Sequence, residues 1–170
     1  MTRIKTNAFW RFSSFFIFLL LFFFLTDFAC RTESSAPKEI LDTSGISQPV
    51  EIIKDTWGIS HIYAHNQKDL FFAQGFNVAR DRLFQLEIWR RQAAGTLSEI
   101  LGPRTLEKDI GSRLLKARVD MREELRHYHP QGEEIIGSFV RGINAYIDLT
   151  NTDPSFLPLE FDLLGLEPGY

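Results

Sequence analysis

The apolar positions of this chain change period along its length, and each change marks a different kind of segment. Residues 15–25 form an unbroken apolar run of 11 residues. As a helix it would span about 16 Å at 1.5 Å per residue, roughly half a bilayer's hydrocarbon core. Residues 31–48 have no sustained period and are rich in Ser, Thr and other turn formers. They read as a flexible linker. Residues 50–54 and 59–64 are short β-branched runs on either side of Asp55-Thr56-Trp57-Gly58. They predict a hairpin with a four- or five-residue connection.

The period then lengthens. Between residues 68 and 94 the apolar positions Leu70, Phe71, Ala73, Phe76, Ala79, Leu83, Phe84, Leu86, Ile88 and Trp89 follow a spacing of three to four. This predicts a long amphipathic helix, capped by Asn66 or Asp69 and ended by Gly95. Residues 96–101 make a short helix or turn before Gly102-Pro103. A third helical stretch is expected over 109–128. Pro130-Gln131-Gly132 separates it from a fourth over 133–149. A loop over 151–158 follows, then a last stretch over 161–169 with Pro168 near its end and no terminal cap. The fold class is α+β, a strand pair followed by several helices. Two strands do not make a stable sheet alone, and the helices carry more apolar surface than one hairpin can cover. The expectation is an incomplete core, with the remainder downstream of Tyr170.

Composition changes the picture at the N-terminus. Nine of the 16 Phe fall in the first 30 residues, and Arg3, Lys5 and Arg11 precede the apolar run. A basic stretch followed by an apolar one marks residues 1–29 as a signal peptide. The run ends Phe28-Ala29-Cys30, similar to a lipoprotein cleavage box, although Asp27 stands where such boxes usually carry Leu. Cys30 is therefore a lipidation candidate, with ordinary cleavage near Ala29 and a free thiol as the alternative. Either outcome predicts an exported protein, in the periplasm or anchored to a membrane. Cys30 is the single cysteine, which excludes an intramolecular disulfide. Net charge is −3. Residues 1–29 contribute +2, from Arg3, Lys5 and Arg11 against Asp27, so the remainder carries −5. That mildly acidic body gives no basis for nucleic-acid binding.

Four groups of residues were candidates for chemistry. His61 and His65 share a strand face but would lie about 13 Å apart, too far for one metal ion. One is expected to pack in the hairpin and the other to be exposed. Asp81, Arg82, Gln85, Arg90 and Arg91 recur on the long helix. They read either as a catalytic carboxylate with its partners or as a structural charge network that fixes the helix. Gly111-Ser112 and Gly137-Ser138 could each be a self-cleavage site that frees a serine amine, but both sit in helical periodicity and read as structural. His127 and His129 flank Tyr128 at a helix end, where a cation is favourable.

Across residues 50–170 the sequence resembles the penicillin acylase family. The resemblance is carried by several motifs in order: Val50-Glu-Ile-Ile-Lys-Asp-Thr-Trp-Gly-Ile-Ser-His-Ile-Tyr-Ala64, Asp69-Leu70, Ala73-Gln-Gly-Phe76 and Ala79-Arg-Asp-Arg-Leu-Phe-Gln-Leu-Glu87. Arg90-Arg91, Gly95-Thr-Leu-Ser-Glu-Ile-Leu-Gly102, Asp109 with Arg113, Gly142-Ile-Asn-Ala-Tyr146 and Glu160-Phe-Asp-Leu-Leu-Gly165 follow. Three places depart from the family pattern. Ser60 replaces the usual Pro before His61, Asn77 follows Phe76 where Val or Leu is typical, and Glu167-Pro-Gly-Tyr170 lacks the usual Trp.

The resemblance implies an N-terminal-nucleophile hydrolase with a four-layer αββα core, exported as a precursor that cuts itself into an α-chain and a β-chain. A serine at the new β-chain N-terminus attacks an amide carbonyl with its own α-amine as base. A backbone amide and an Asn side chain hold the oxyanion. Substrates of the family are linear amides, and some members bind calcium across the two chains. None of these catalytic, pocket or calcium residues maps onto residues 1–170. The implied partners are the rest of the α-chain and the β-chain, with no catalytic, cofactor or metal residue in this segment. The competing expectation is a stand-alone membrane-anchored lipoprotein with a binding role and no catalysis.

Overall fold

The fold was analysed in a computed structural model that describes residues 39–169. The expected signal peptide and Cys30 lie outside the described residues. From Asp42 onward the chain forms one unit. It begins with strands β1 (Glu51–Lys54) and β2 (Ser60–Tyr63), paired antiparallel with Ile52 opposite Ile62 and Lys54 opposite Ser60. The connection is closed by Asp55, whose carboxylate accepts from the N–H groups of Trp57 and Ile59, both at 2.9 Å. This Asx turn is the physical content of the Asp-Thr-Trp-Gly signal.

Helix α1 (Gln67–Ala94) follows. Asn66 is its N-cap and accepts from the Asp69 N–H, and Gly95 ends it at φ 73° and ψ 41°. Both signals are local and both were legible. The helix bends at Arg82, at φ −148° and ψ 33°, beside Asp81, whose carboxylate pairs with Lys54 of β1. Helix α2 (Ser98–Leu101) and a short 3-10 turn (Pro103–Thr105) lead into α3 (Leu106–Leu115).

The single helix expected over 109–128 is two helices. Helix α3 stops before Lys116, which is extended, and α4 (Met121–Tyr128) restarts where Asp120 caps it by accepting from the Arg122 N–H. The apolar period ran through the break and hid it, whereas the Asp120 cap marks it. Helix α5 (Gly132–Thr152) runs longer than the expected 133–149. A 3-10 turn (Pro154–Phe156) occupies the expected loop, and α6 (Leu159–Leu164) follows. The missing terminal cap is present after all. Gly165 adopts φ 61° and ψ 40° and its N–H reaches the Asp162 and Phe161 carbonyls. Pro168 drew attention away from this glycine, which alone among nearby residues takes αL at little cost.

The main packing is α1 against α5. Lys68 and Ile135 line one cleft, and Phe76 meets Tyr146 edge-on at 5.4 Å further along, so the two helices run in the same direction. Phe72, Phe76, Leu83, Tyr146, Ile147 and Phe161 fill the core, and Phe84 meets Phe161 edge-on at 5.5 Å. Burial of each such side chain contributes about 1.5–3 kcal/mol. The core is one-sided. Trp57, Leu114, Leu115 and Leu163 remain between 73% and 88% exposed. Among the described residues the architecture is thus mostly helical with a two-stranded sheet, as expected. No described helix is long and apolar enough to cross a membrane.

Candidate functional site

The residues singled out on α1 fall into two separate groups. The first joins the hairpin to the helix. Lys54 pairs with Asp81, Arg82 Nη1 donates to Gln85 Oε1 at 3.3 Å, and the Asn77 amide donates to the Ser60 hydroxyl at 3.1 Å. His61 lies against the hairpin turn instead, with Nε2 3.2 Å from Asp55 Oδ2. The Ile59 N–H is the main influence holding the Asp55 carboxyl below its ordinary range; burial opposes it, and His61 and Trp57 add to the lowering. Neither histidine is buried: His61 and His65 are both exposed. The expected hairpin-packing imidazole is corrected, because Ile52 and Ile62 face the helix and His61 falls on the opposite face with Ile53.

The second group surrounds Glu87, which is only 3% exposed. Arg90 grips its carboxylate with Nε at 2.9 Å and Nη2 at 2.8 Å, and Arg91 Nε donates at 2.6 Å. Arg91 also reaches Glu99 Oε2 at 2.8 Å, tying α1 to α2. The Gly169 N–H completes the set at 3.3 Å. Burial pushes the Glu87 carboxyl up, but the donors from Arg90, Arg91 and Gly169 outweigh it and the group ends below its usual range.

Two further carboxylates do comparable work. Asp69 is fully buried and accepts from the Ser47 N–H and hydroxyl, the Gln48 N–H and the Asn66 amide, at 2.7–3.1 Å. The Ser47 hydroxyl is the largest influence; with the other donors it overcomes burial and takes the carboxyl down to about 2. Ser47 and Gln48, the last residues of the expected linker, are thereby held against α1. Asp109 accepts from the Leu97 and Ser98 N–H groups at 2.9 and 2.7 Å. Burial pushes it up, and the Ser98 and Leu97 donors with the Arg113 charge bring it net downward. Arg113 Nε donates to the Gly95 carbonyl at 2.7 Å.

These carboxylates cannot serve as general bases. That role needs a free lone pair and a pKa raised toward neutrality. Here N–H and O–H donors hold the carboxylates in their charged form and the shifts run the other way. Their chemistry is to pin backbone: the entry segment through Asp69, the α1–α2 corner through Asp109, and residue 169 through Glu87. The sequence named Asp69 as a cap and Asp109 as a motif partner without finding these roles. Glu87 was legible only as the end of a motif. The signal available was a carboxylate on an apolar helix face, which is seldom buried without partners.

The Gly-Ser pairs lie inside helices. Ser112 is in α3, and Ser138 is fully buried in α5, accepting from Arg141 Nη2 at 2.8 Å. Neither is aimed by a neighbouring base. At the end of α4, His127 lies edge-on to Tyr128 at 5.7 Å, and His129 Nδ1 accepts from the Gln131 N–H. Among the described residues no three His, Cys, Asp or Glu side chains are placed to hold a metal ion.

Comparison with known proteins gives consistent matches. The penicillin amidase family profile matches residues 49–170. The chain is 39% identical over 128 residues to a penicillin acylase 2 proenzyme of Pseudomonas sp. (strain SE83), covering 75% of this chain and 16% of that protein. It is 36% identical over 123 residues to penicillin G acylase of Escherichia coli, covering 72% and 14%. It is 31% identical over 126 residues to the acyl-homoserine lactone acylase QuiP of Pseudomonas aeruginosa, covering 74% and 14%. The chain thus spans about a sixth of the length of these relatives. In structure it is similar to the thermostable penicillin G acylase of Alcaligenes faecalis, with a TM-score of 0.64 and 28% identity over 72% of this chain and 65% of that one.

Proposed function

The chain belongs to the penicillin amidase family, and from that premise we propose that it is the N-terminal segment of an exported acylase-like amidohydrolase. The reaction is cleavage of a linear amide, by an N-terminal serine that lies outside residues 1–170. Its hydroxyl attacks the carbonyl, its own α-amine takes the proton, and water releases the acyl group. The observation that carries this reading is the family match over residues 49–170.

Two features of the fold support the division of labour. The Gly-Ser pairs sit inside α3 and α5, so neither offers a serine at a free N-terminus. The exposed Leu114, Leu115 and Leu163 leave apolar surface that the rest of an αββα fold would cover. The partners in this reading are the remainder of the α-chain and the β-chain, with a linear amide as substrate. In this reading residues 1–29 are the export signal and Cys30 is the candidate lipid attachment point, with cleavage near Ala29 as the alternative; the enzyme is then periplasmic or membrane-anchored. Calcium, which some members of the family bind across the two chains, is in this reading a matter for the intact enzyme and not for this segment. Glu87, one of the buried carboxylates here, has two donors on each oxygen and is not free to take it.

The test compares two purified proteins on a chromogenic phenylacetyl anilide: the 170-residue chain, and the same chain continued through its downstream coding sequence. Turnover is expected from the continued protein alone, and its loss when the serine after the cleavage point is changed to Ala. Robust turnover by the 170-residue chain would overturn the assignment of catalysis to another segment.

A further inference from the structure

Residues 166–169 leave the Gly165 cap and return to α1, where two independent features receive them. The Gly169 N–H donates to Glu87 Oε2 at 3.3 Å. The Gly169 Cα lies flat on the Arg90 guanidinium: a Cβ there would stand 2.3 Å from Nη2 and 2.6 Å from Cζ. A side chain at position 169 would have to displace the Arg90 fork, which is committed to Glu87 through both Nε and Nη2. The seat is thus built from one buried carboxylate and one guanidinium, and it admits a residue with no side chain and a free N–H.

We propose that Glu87 and Arg90 are positioning residues for a strap, residues 166–169, which ties the chain beyond α6 back onto α1. The strap closes the α1–α6 corner, where Phe84 already meets Phe161, and it fixes the path of the chain at Gly169. Its purpose rests on the reading above: a catalytic part that follows must be presented in one orientation to this segment. The strap itself is tested without any activity, so its failure and the failure of that reading are distinguishable.

The experiment is amide hydrogen exchange on the full 170-residue chain and on Gly169→Leu and Glu87→Gln. In the unaltered chain the amides of Leu166, bonded to the Phe161 carbonyl, and of Gly169, bonded to Glu87, are expected to exchange slowly. Gly169→Leu should speed exchange of the amide at position 169, corrected for its intrinsic rate, about tenfold, the loss expected for a hydrogen bond to a charged acceptor, while Leu166, α1 and α5 keep their protection. Should Glu87→Gln fail to fold, Gly169→Leu still decides, since it alters a half-buried residue outside the core. Three results overturn the strap: free exchange of the Gly169 amide in the unaltered chain, unchanged protection at position 169 in Gly169→Leu, or loss of protection throughout α1 and α5 in that variant.

Discussion

The side-chain amide of Asn77, on the buried face of α1, donates to the hydroxyl of Ser60 at the start of β2. These are two of the three places where the sequence departs from the pattern of its family, and they meet each other. A buried amide needs a partner, and a serine hydroxyl at this strand position provides it.

That pairing predicts coupling. Ser60→Ala strands the amide of Asn77 and should cost about 1–3 kcal/mol. Asn77→Val alone removes the need for the hydroxyl and should cost less. The double variant, which makes both positions apolar, should lie close to the unaltered chain, because replacing both partners is often nearly neutral. Urea melts of the four proteins give the interaction energy directly. Additive losses would mean that the two side chains act independently.

The α1–α5 crossing makes a second prediction. A Cβ on Gly75 would stand 2.0 Å from the Phe139 carbonyl oxygen, and one on Gly142 would stand 1.9 Å from that of Phe72. Backbone meets backbone there, and no side chain can swing away. Gly75→Ala and Gly142→Ala should each cost about 1–3 kcal/mol through forced helix separation. Gly111 in α3 has nothing within 4 Å of its would-be Cβ. Gly111→Ala should therefore stabilise by about 0.5–1 kcal/mol, the ordinary helical preference for alanine. Thermal melts separate the two classes by sign. A neutral Gly75→Ala would show that the crossing is looser than this geometry.

What the sequence disclosed follows from the range of each interaction. The Asn66 and Gly95 caps and the Asp55 turn are decided within a few residues, so pattern alone located them. The long period of α1 and α5 was also plain, since each buries one face on the other. The break at Lys116 is hidden by apolar spacing that continues across it, and the Gly165 cap by Pro168, a competing stop signal three residues on. The buried roles of Asp69, Glu87 and Asp109 were out of reach for a different reason. Their donors include Ser47 and Gly169, which lie 22 and 82 positions away in the chain. Periodicity says which face is apolar, but not which distant N–H will meet a carboxylate placed there. The family motifs marked the regions that hold these contacts without revealing what the contacts are.

Asp69 provides the prediction with a defined pH window. Its carboxyl is held at about 2, below its ordinary 3.8, chiefly by the Ser47 hydroxyl and N–H, with Asn66 and Gln48. A carboxylate depressed in the folded state binds fewer protons there than in the unfolded chain, so stability rises with pH across the interval between the two values. The contribution is fully present above about pH 4 and is lost as pH falls through about 2. Asp69→Asn removes the charge and one acceptor, so it should destabilise at neutral pH by about 1–3 kcal/mol. The stability gap between the two proteins should then narrow steadily from about pH 4 down to about pH 2. Some acid sensitivity should persist in the variant, because the carboxyls of Glu87 and Asp109 are also lowered. Urea midpoints measured across this interval provide the comparison. A gap that stays constant with pH would show that the four donors around Asp69 hold its shape and not its charge.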